Sequence, residues 1–327
     1  MATTKLQRLL LRNPYVFALI VLVIAIIINH DLQPNLFERR SLSSNFRLFL
    51  PLALVAAGQT LVIIGGGIDL SVGAIITLIN AILATQIASD ATTTEILTTI
   101  GIACLAGIFA GVFNGLCIAY LRLQPIVTTY ATSFVYGGLA LYILPRPEGS
   151  LPRSITTLYR ETPYNIPFPA YMMGLLIIAW LLLRTTRYSQ TLYASGGKAD
   201  AAYRTGIPVV MVKFSSYVLS GLMAAIAGLA LTMGTGRGSP RIGDAMTLDS
   251  IVAVVLGGTR LSGGQGGVVG TVLGVMTLGI IRNIISFAEV PNWYQTLVNA
   301  LIIIAALAGP GLVRLIRDVA KTRLATW

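Results

Sequence analysis

The sequence predicts an all-α, polytopic integral membrane protein of about ten transmembrane helices, some of them broken or re-entrant. Three observations carry the prediction. Of 327 residues, 55% are apolar and only 11% are charged, against roughly a quarter charged in soluble domains. Mean hydropathy is +0.79. Apolar stretches of about 18 residues recur along the chain, and the same figures exclude disorder. Ten spans of about 20 residues absorb roughly 200 positions. No room is left for a separate soluble domain, so residues 1–327 read as one membrane domain.

The first apolar run, Pro14 to Ile28 behind Lys5, Arg8 and Arg12, is followed by Asn29, His30, Asp31, Leu32, Gln33 and Pro34. That stretch has no small-x-small cleavage site, so the run reads as an uncleaved span, 14–29. The remaining spans are 46–66, 70–88, 97–121, 126–144, 168–184, 209–232, 248–259, 267–286 and 293–313. The eighth is short for a crossing and reads as a broken or re-entrant helix buried by its neighbours. Six prolines between Pro145 and Pro169 predict a loop without regular helix. The basic loop Arg184 to Pro208 contains one helix-compatible stretch, Lys198 to Thr205.

The net charge of +11 raises the question of nucleic acid, but the charges sit between apolar runs and form no basic stripe with exposed aromatics. They set orientation instead. With the N terminus inside, the inner segments hold Lys5, Arg8, Arg12, Arg122, Arg184, Arg187, Lys198, Arg204, Lys213, Arg260, Arg314, Arg317, Lys321 and Arg323, which include every lysine of the chain. Arg39, Arg40 and Arg47 run against the rule. The expected topology places 1–13, 185–208 and the tail 314–327 in the cytoplasm.

Several chemistries are missing. The single His30, at a membrane edge, can build neither a His-based triad nor a metal cluster. Gly196, Gly197 and Lys198 are followed by alanine, and the glycines at 263, 264, 266 and 267 have no lysine after them, so there is no P-loop. Ion-coupled carriers usually bury charged groups in mid-membrane. Here the acids lie near span ends, with Asp69, Asp249 and Glu289 the nearest to the interior. Cys104 and Cys117, 13 positions apart on one helix, are about 20 Å apart along its axis and read as packed thiols. Gly107, Gly111 and Gly115, and again Gly266, Gly270 and Gly274, have the spacing of close helix packing, either within one bundle or at a subunit seam.

The most informative segment is Gly65 to Gly73. Three glycines permit a sharp turn, and Asp69 or Ser71 can cap the amides where the third span begins. For Asp69 a direct transport role is the other reading. A related pattern, Gly257 to Gly264, returns 191 positions later, with Gly66, Gly67, Leu70, Ser71 and Gly73 matched, which hints at an internal repeat.

The run Gly66 to Gly73 (GGIDLSVG) resembles the signature of the permease subunits of bacterial ribose-type ABC importers, the second carbohydrate uptake family. Asn114, Gly115 and Leu116 followed by Leu123, Gln124, Pro125, Ile126, Val127 and Thr128 are similar to its NGL…LxxPxxxxT segment. Gly196 to Ile207 (GGKADAAYRTGI) resembles its cytoplasmic loop, with Lys198 where asparagine is usual, and Val255 to Gly267 (VLGGTRLSGGQGG) its VxGGTxLxGGxG segment. The resemblance implies a type II-like permease in the bacterial inner membrane. It implies a second permease subunit, a cytoplasmic ATP-binding subunit carrying ATP and Mg, and a periplasmic sugar-binding protein, with no cofactor on this chain. Its coupling helix would be Lys198, Ala199, Asp200, Ala201, Ala202, Tyr203, Arg204 and Gly206.

A neutral sugar needs hydrogen-bond partners and an aromatic face. The candidates on its path are Gln59, Asp69, Asn80, Asn114, Gln124, Thr128, Tyr130 and Phe134, with Tyr136 close by. Interhelical bonding and packing explain the same residues. An ion-coupled secondary transporter or facilitator for a small polar solute is the alternative function.

Overall fold

The computed structural model describes residues 15–288 and positions 294, 297, 300, 301 and 304. The expected cytoplasmic segment 1–13, the tail 314–327, Glu289 and, apart from those five positions, the expected tenth span 293–313 lie outside the described residues.

Every extended element among the described residues is a helix: α1 Tyr15–Leu32, α2 Arg39–Ile64, α3 Val72–Gln86, α4 Thr93–Gly115 with a π-turn over Leu116–Tyr120, α5 Pro125–Ile143, α6 Arg153–Arg160, α7 Phe168–Thr185, α8 Arg187–Gly197, α9 Ala199–Arg204, α10 Val209–Thr235, α11 Asp244–Leu256 and α12 Val268–Phe287. Six of these, α2, α4, α5, α7, α10 and α12, are long and apolar enough to cross a membrane, and α1 and α3 are shorter apolar helices. The chain is a multi-pass membrane protein.

The central helix is α2, packed by α10, α12, α11 and α7. It carries Pro51 in its interior. A proline there has no N–H for the carbonyl four residues back, which is that of Arg47. The Tyr159 hydroxyl of α6 donates to that carbonyl at 2.8 Å, and burial holds its phenol above the usual range, so the proton stays. A long-range side chain thus repairs the gap that the local sequence opens.

Where α2 and α11 end, the backbone is the same. Gly66 N–H bonds to Ile63 and Gly67 N–H to Val62, while Gly258 N–H bonds to Val255 and Thr259 N–H to Val254. These are Schellman caps, with Gly66 (φ +82) and Gly258 (φ +87) in the left-handed conformation that glycine tolerates. The two caps are 192 positions apart, one off the register of the sequence match, so what the two glycine segments share in the structure is the way they end a helix.

Helices α3 and α11 are fragments that meet deep in the bundle. With 13 residues, α11 is about 20 Å long, short of a hydrocarbon core of about 30 Å. The expectation of a short eighth element is met, and it is buried from Asp249 to Val255, while Asp244, Ala245 and Leu248 in its first turns are exposed. Its N-terminus is interlocked with that of α3: Gly73 N–H donates to Thr247 Oγ1 at 3.1 Å, and Gly243 N–H donates to Thr77 Oγ1 at 3.0 Å. Each helix start supplies the hydroxyl that satisfies the other's orphan amide. Such internal starts are tolerated in a membrane only where protein covers them.

Other expectations are corrected or resolved. The proline-rich loop does hold a helix, α6, because Pro152 sits at its N-cap and no proline interrupts 153–162. The basic loop holds α8 as well as the foreseen short helix. His30 lies in the last turn of α1, exposed, its ring 5.6 Å from that of Phe37. Cys104 and Cys117 are free. Gly107, Gly111 and Gly115 bring α4 against Gly221, Tyr217 and Phe214 of α10, and Gly270 and Gly274 approach Gly257 and Ala253 of α11. The small-residue spacing therefore serves packing within the chain, and Gly266 belongs to the loop before α12 rather than to a helix face.

Candidate functional site

The chain between the first Schellman cap and α3 folds back into the bundle as a non-helical stretch, and Asp69 lies on it with no exposed surface. Its carboxylate is held by three donors: Ser71 N–H at 2.9 Å, Ser71 Oγ at 2.6 Å and Ser220 Oγ of α10 at 3.0 Å. The Gln59 amide of α2 faces the backbone of Asp69, and in the orientation that the surrounding groups require it donates to the Asp69 carbonyl at 3.2 Å and accepts from its N–H at 3.3 Å. Asn114 Nδ2 of α4 donates to Ser71 Oγ at 2.8 Å, and Asn114 Oδ1 accepts from Thr132 of α5 at 2.8 Å. Leu70 N–H donates to Thr129 Oγ1 at 3.0 Å. One connected network thus ties α2, α4, α5 and α10 to the break. An unmatched polar group here would cost about 1–3 kcal/mol, so the complete satisfaction of Asp69 fixes this loop. Beside it, the buried Tyr217 hydroxyl approaches Gly67 and has no hydrogen-bond partner.

A second junction lies at the capped end of α2, where three glycine-rich segments meet backbone to backbone. Gly264 N–H donates to the Ile64 carbonyl at 2.9 Å. The Cα of Gly196, at the end of α8, packs against the same carbonyl, leaving no room for a Cβ, and Gly66 and Gly263 close round it. Tyr193 of α8 donates to the Gly266 carbonyl at 2.6 Å; burial raises its phenol pKa. From this junction the chain runs into α9. There Asp200, Ala201, Tyr203, Arg204, Gly206 and, just before it, Lys198 are exposed, Ala199 is half-buried and Ala202 is buried beneath the helix.

The other candidates fall into two groups. Asn80 is buried and fully bonded, to Thr232 Oγ1 and the Arg237 carbonyl through Nδ2 and from Ser239 N–H at Oδ1, so it ties α3 to the far end of α10. Thr128 is buried and bonds the Gln124 carbonyl of its own helix. Gln124, at the N-cap of α5, is exposed without a capping bond. Tyr130 and Phe134 are exposed on α5, their rings 4.9 Å apart edge to face.

The family model described as "Branched-chain amino acid transport system / permease component" matches residues 41–307. The ribose import permease protein RbsC of Bacillus subtilis (strain 168) is 36% identical over 293 residues, covering 88% of this chain and 89% of that protein. The chain is a permease of the ribose-type ABC importer family. RbsC of Escherichia coli (strain K12) is 32% identical over 302 residues, covering 89% and 91% of the two chains. The permease also matches the autoinducer 2 import system permease protein LsrD of Photorhabdus temperata, 28% identical over 307 residues, 91% of each chain. No solved structure matches. Membership makes the permease a transport component and not an enzyme.

In this permease the four segments that carried the sequence resemblance converge. Asn114 bonds the segment of Asp69 and Ser71, and Gly196 joins that of Gly66 to that of Gly263 and Gly264. Sequence reasoning missed Ser220, Tyr217, Thr129, Thr132 and Thr247. A signal existed for two of them: Tyr217 and Ser220 are one turn apart on an apolar helix, a polar stripe that must find a partner inside. Nothing local marks Thr247 as the partner of Gly73.

Proposed function

We propose that this permease forms, with a second permease subunit, the path by which an ATP-driven importer moves a monosaccharide, a ribose-type pentose or a hexose, from periplasm to cytoplasm across the bacterial inner membrane. In this reading the chain has the ten-span, type II-like topology with both termini inside, and the end bearing the glycine junction faces the cytoplasm. Lys198 and Lys213 lie at that end, in accord with a positive interior. A periplasmic sugar-binding protein delivers solute at the other end. The chain binds no cofactor; ATP and Mg reside on a cytoplasmic ATP-binding subunit.

The observation that carries the proposal is the joint between the exposed α9 and the packed interior. Lys198, Ala199, Asp200, Ala201 and Arg204 line a shallow cleft of about 420 Å³. A push on this element reaches Gly66 and Gly264 through backbone contacts that have no slack. The Asp69 network then passes it to α4, α5 and α10. The outward face of α5, with Gln124, Tyr130 and Phe134, supplies the amide and aromatic surface for a sugar. Gln59, Asp69, Asn80, Asn114 and Thr128 hold the frame.

The test uses the permease reconstituted with its ATPase and binding protein. Ala201→Trp fills the cleft without entering the core, and is expected to cut ATP-driven uptake at least about tenfold while melting is unchanged. Full uptake by that variant would exclude α9 as the ATPase contact. Uptake by the chain alone, driven by a proton or sodium gradient, would instead establish the secondary-carrier alternative. Phe134→Ala is expected to lower uptake at limiting sugar about threefold to tenfold, since an aromatic contact is worth about 1 kcal/mol. Unchanged uptake places Phe134 against lipid.

A further inference from the structure

The three arginines that broke the charge rule stand together. Arg39, Arg40, Ser43 and Arg47 of α2 and Thr162, which follows α6, line a cleft of about 420 Å³. Positions 39, 43 and 47 fall on one helix face at steps of four. The cleft's two walls are tied in advance: Arg39 reaches the hydroxyl and, at 3.4 Å, the carbonyl of Thr162, and Tyr159 holds the Arg47 carbonyl. Among the described residues the one ion pair joins Arg282 to Asp249, so none of these three guanidiniums has a carboxylate partner. Three like charges on a preformed wall repel one another and leave a site short of an anion.

The surroundings indicate which anion. Leu48, next to Arg47, is 66% exposed, and Phe37, next to Glu38, is 58% exposed; Leu158 and Tyr171 are exposed on the neighbouring helices. The apolar run of α2 starts at Phe46, so the cleft opens at the level where hydrocarbon gives way to headgroups. It also lies beside α6, away from α5, which packs chiefly on α3. A phosphodiester matches it: guanidinium forks bind phosphate oxygens in pairs, and Ser43 and Thr162 add hydroxyls.

We propose that this cleft binds the phosphate of an anionic phospholipid, drawing that lipid to the first turns of α2. The proposal needs only that the chain is embedded in a bilayer and is independent of the solute carried. Basic pockets between transmembrane helices on the cytoplasmic side hold anionic headgroups by this chemistry, and the same chemistry applies to this cleft, which the proposed topology places on the opposite side.

The experiment places the full chain in nanodiscs of phosphatidylcholine, with and without phosphatidylglycerol, and counts by native mass spectrometry the lipid retained on delipidation. The wild type is expected to retain phosphatidylglycerol in preference to phosphatidylcholine. Arg40→Ala with Arg47→Ala is expected to reduce phosphatidylglycerol retention about tenfold and leave phosphatidylcholine unchanged, while Arg237→Ala leaves both unchanged. Because the preference of the wild type is itself a readout, misfolding of the double variant does not shelter the idea. Equal retention of both lipids by the wild type overturns it. So does displacement of phosphatidylglycerol by inorganic phosphate, which would assign the cleft to a soluble anion. If the double variant keeps its phosphatidylglycerol but loses affinity for the solute-binding protein, the cleft is a protein dock and the lipid assignment is wrong.

Discussion

Gly196→Ala is expected to abolish ATP-driven uptake and to lower the melting temperature steeply, while Gly197→Ala, one residue on, is expected to be silent. A methyl group on Gly196 would overlap the Ile64 carbonyl, and Gly264 N–H lies 2.9 Å from the same new atom. Backbone atoms cannot rotate away as a side chain would. Helix α8 must therefore lift off α2, breaking the Gly264 to Ile64 hydrogen bond and opening the junction. The expected loss is about 3 kcal/mol or more, at the upper end for overpacking. Gly197 is exposed and does not take positive φ, and a methyl group added to it would meet no atom within 4 Å. Alanine there adds helix propensity and is neutral or stabilising by up to about 1 kcal/mol. Melting in nanodiscs and uptake in proteoliposomes check both; a stable, active Gly196→Ala variant would show that the junction is not tight.

The second large effect separates the two readings of Asp69. Asp69→Ala strips the acceptor from Ser71 N–H, Ser71 Oγ and Ser220 Oγ, and is expected to destabilise the permease by about 2–4 kcal/mol. Asp69→Asn keeps an oxygen for Ser71 and turns an amide toward Ser220, whose hydroxyl can rotate to accept. Its expected cost is about 1 kcal/mol or less, with uptake held within about threefold of wild type. If Asp69→Asn folds normally but transports nothing, the carboxylate acts on solute or on a moving proton, and its role as a frame is refuted.

How much was legible can be judged from these residues. The segment at 65–73 announced a break, because three glycines and an adjacent acid have few other uses between two apolar runs. That Asp69 would hold a backbone amide near the start of α3 followed from local chemistry, but the amide it takes is that of Ser71, and neither Asp69 nor Ser71 caps the helix: Gly73 N–H goes to Thr247 instead. Which hydroxyls would meet its carboxylate did not follow, since Ser220 is 151 positions away and bonds across the bundle. The likeness of the two glycine segments was visible but offset by one from the caps they form, because sequence identity weights the glycines while a Schellman cap is defined by which amide reaches which carbonyl. The helix in the proline-rich loop was missed because prolines were counted across the loop, although the stretch between Pro152 and Pro163 is free of them. Prolines at a helix start do no harm.

What the sequence determined by itself was the solvent and the class. Long apolar runs and few charges are properties of composition, and they select a helical membrane protein; the resemblance of four short segments added the importer family. What the tertiary structure decided was which of many similar residues matter. Gly196 and Gly197 are identical to any local rule, yet one is wedged against Ile64 and the other faces open space. Thr77 and Thr247 are ordinary helix threonines until their helices meet and each caps the other's amide. Such distinctions depend on distances between segments more than a hundred residues apart. In a bilayer, where every buried amide must find a partner within the protein, those distances are set only when the whole bundle closes.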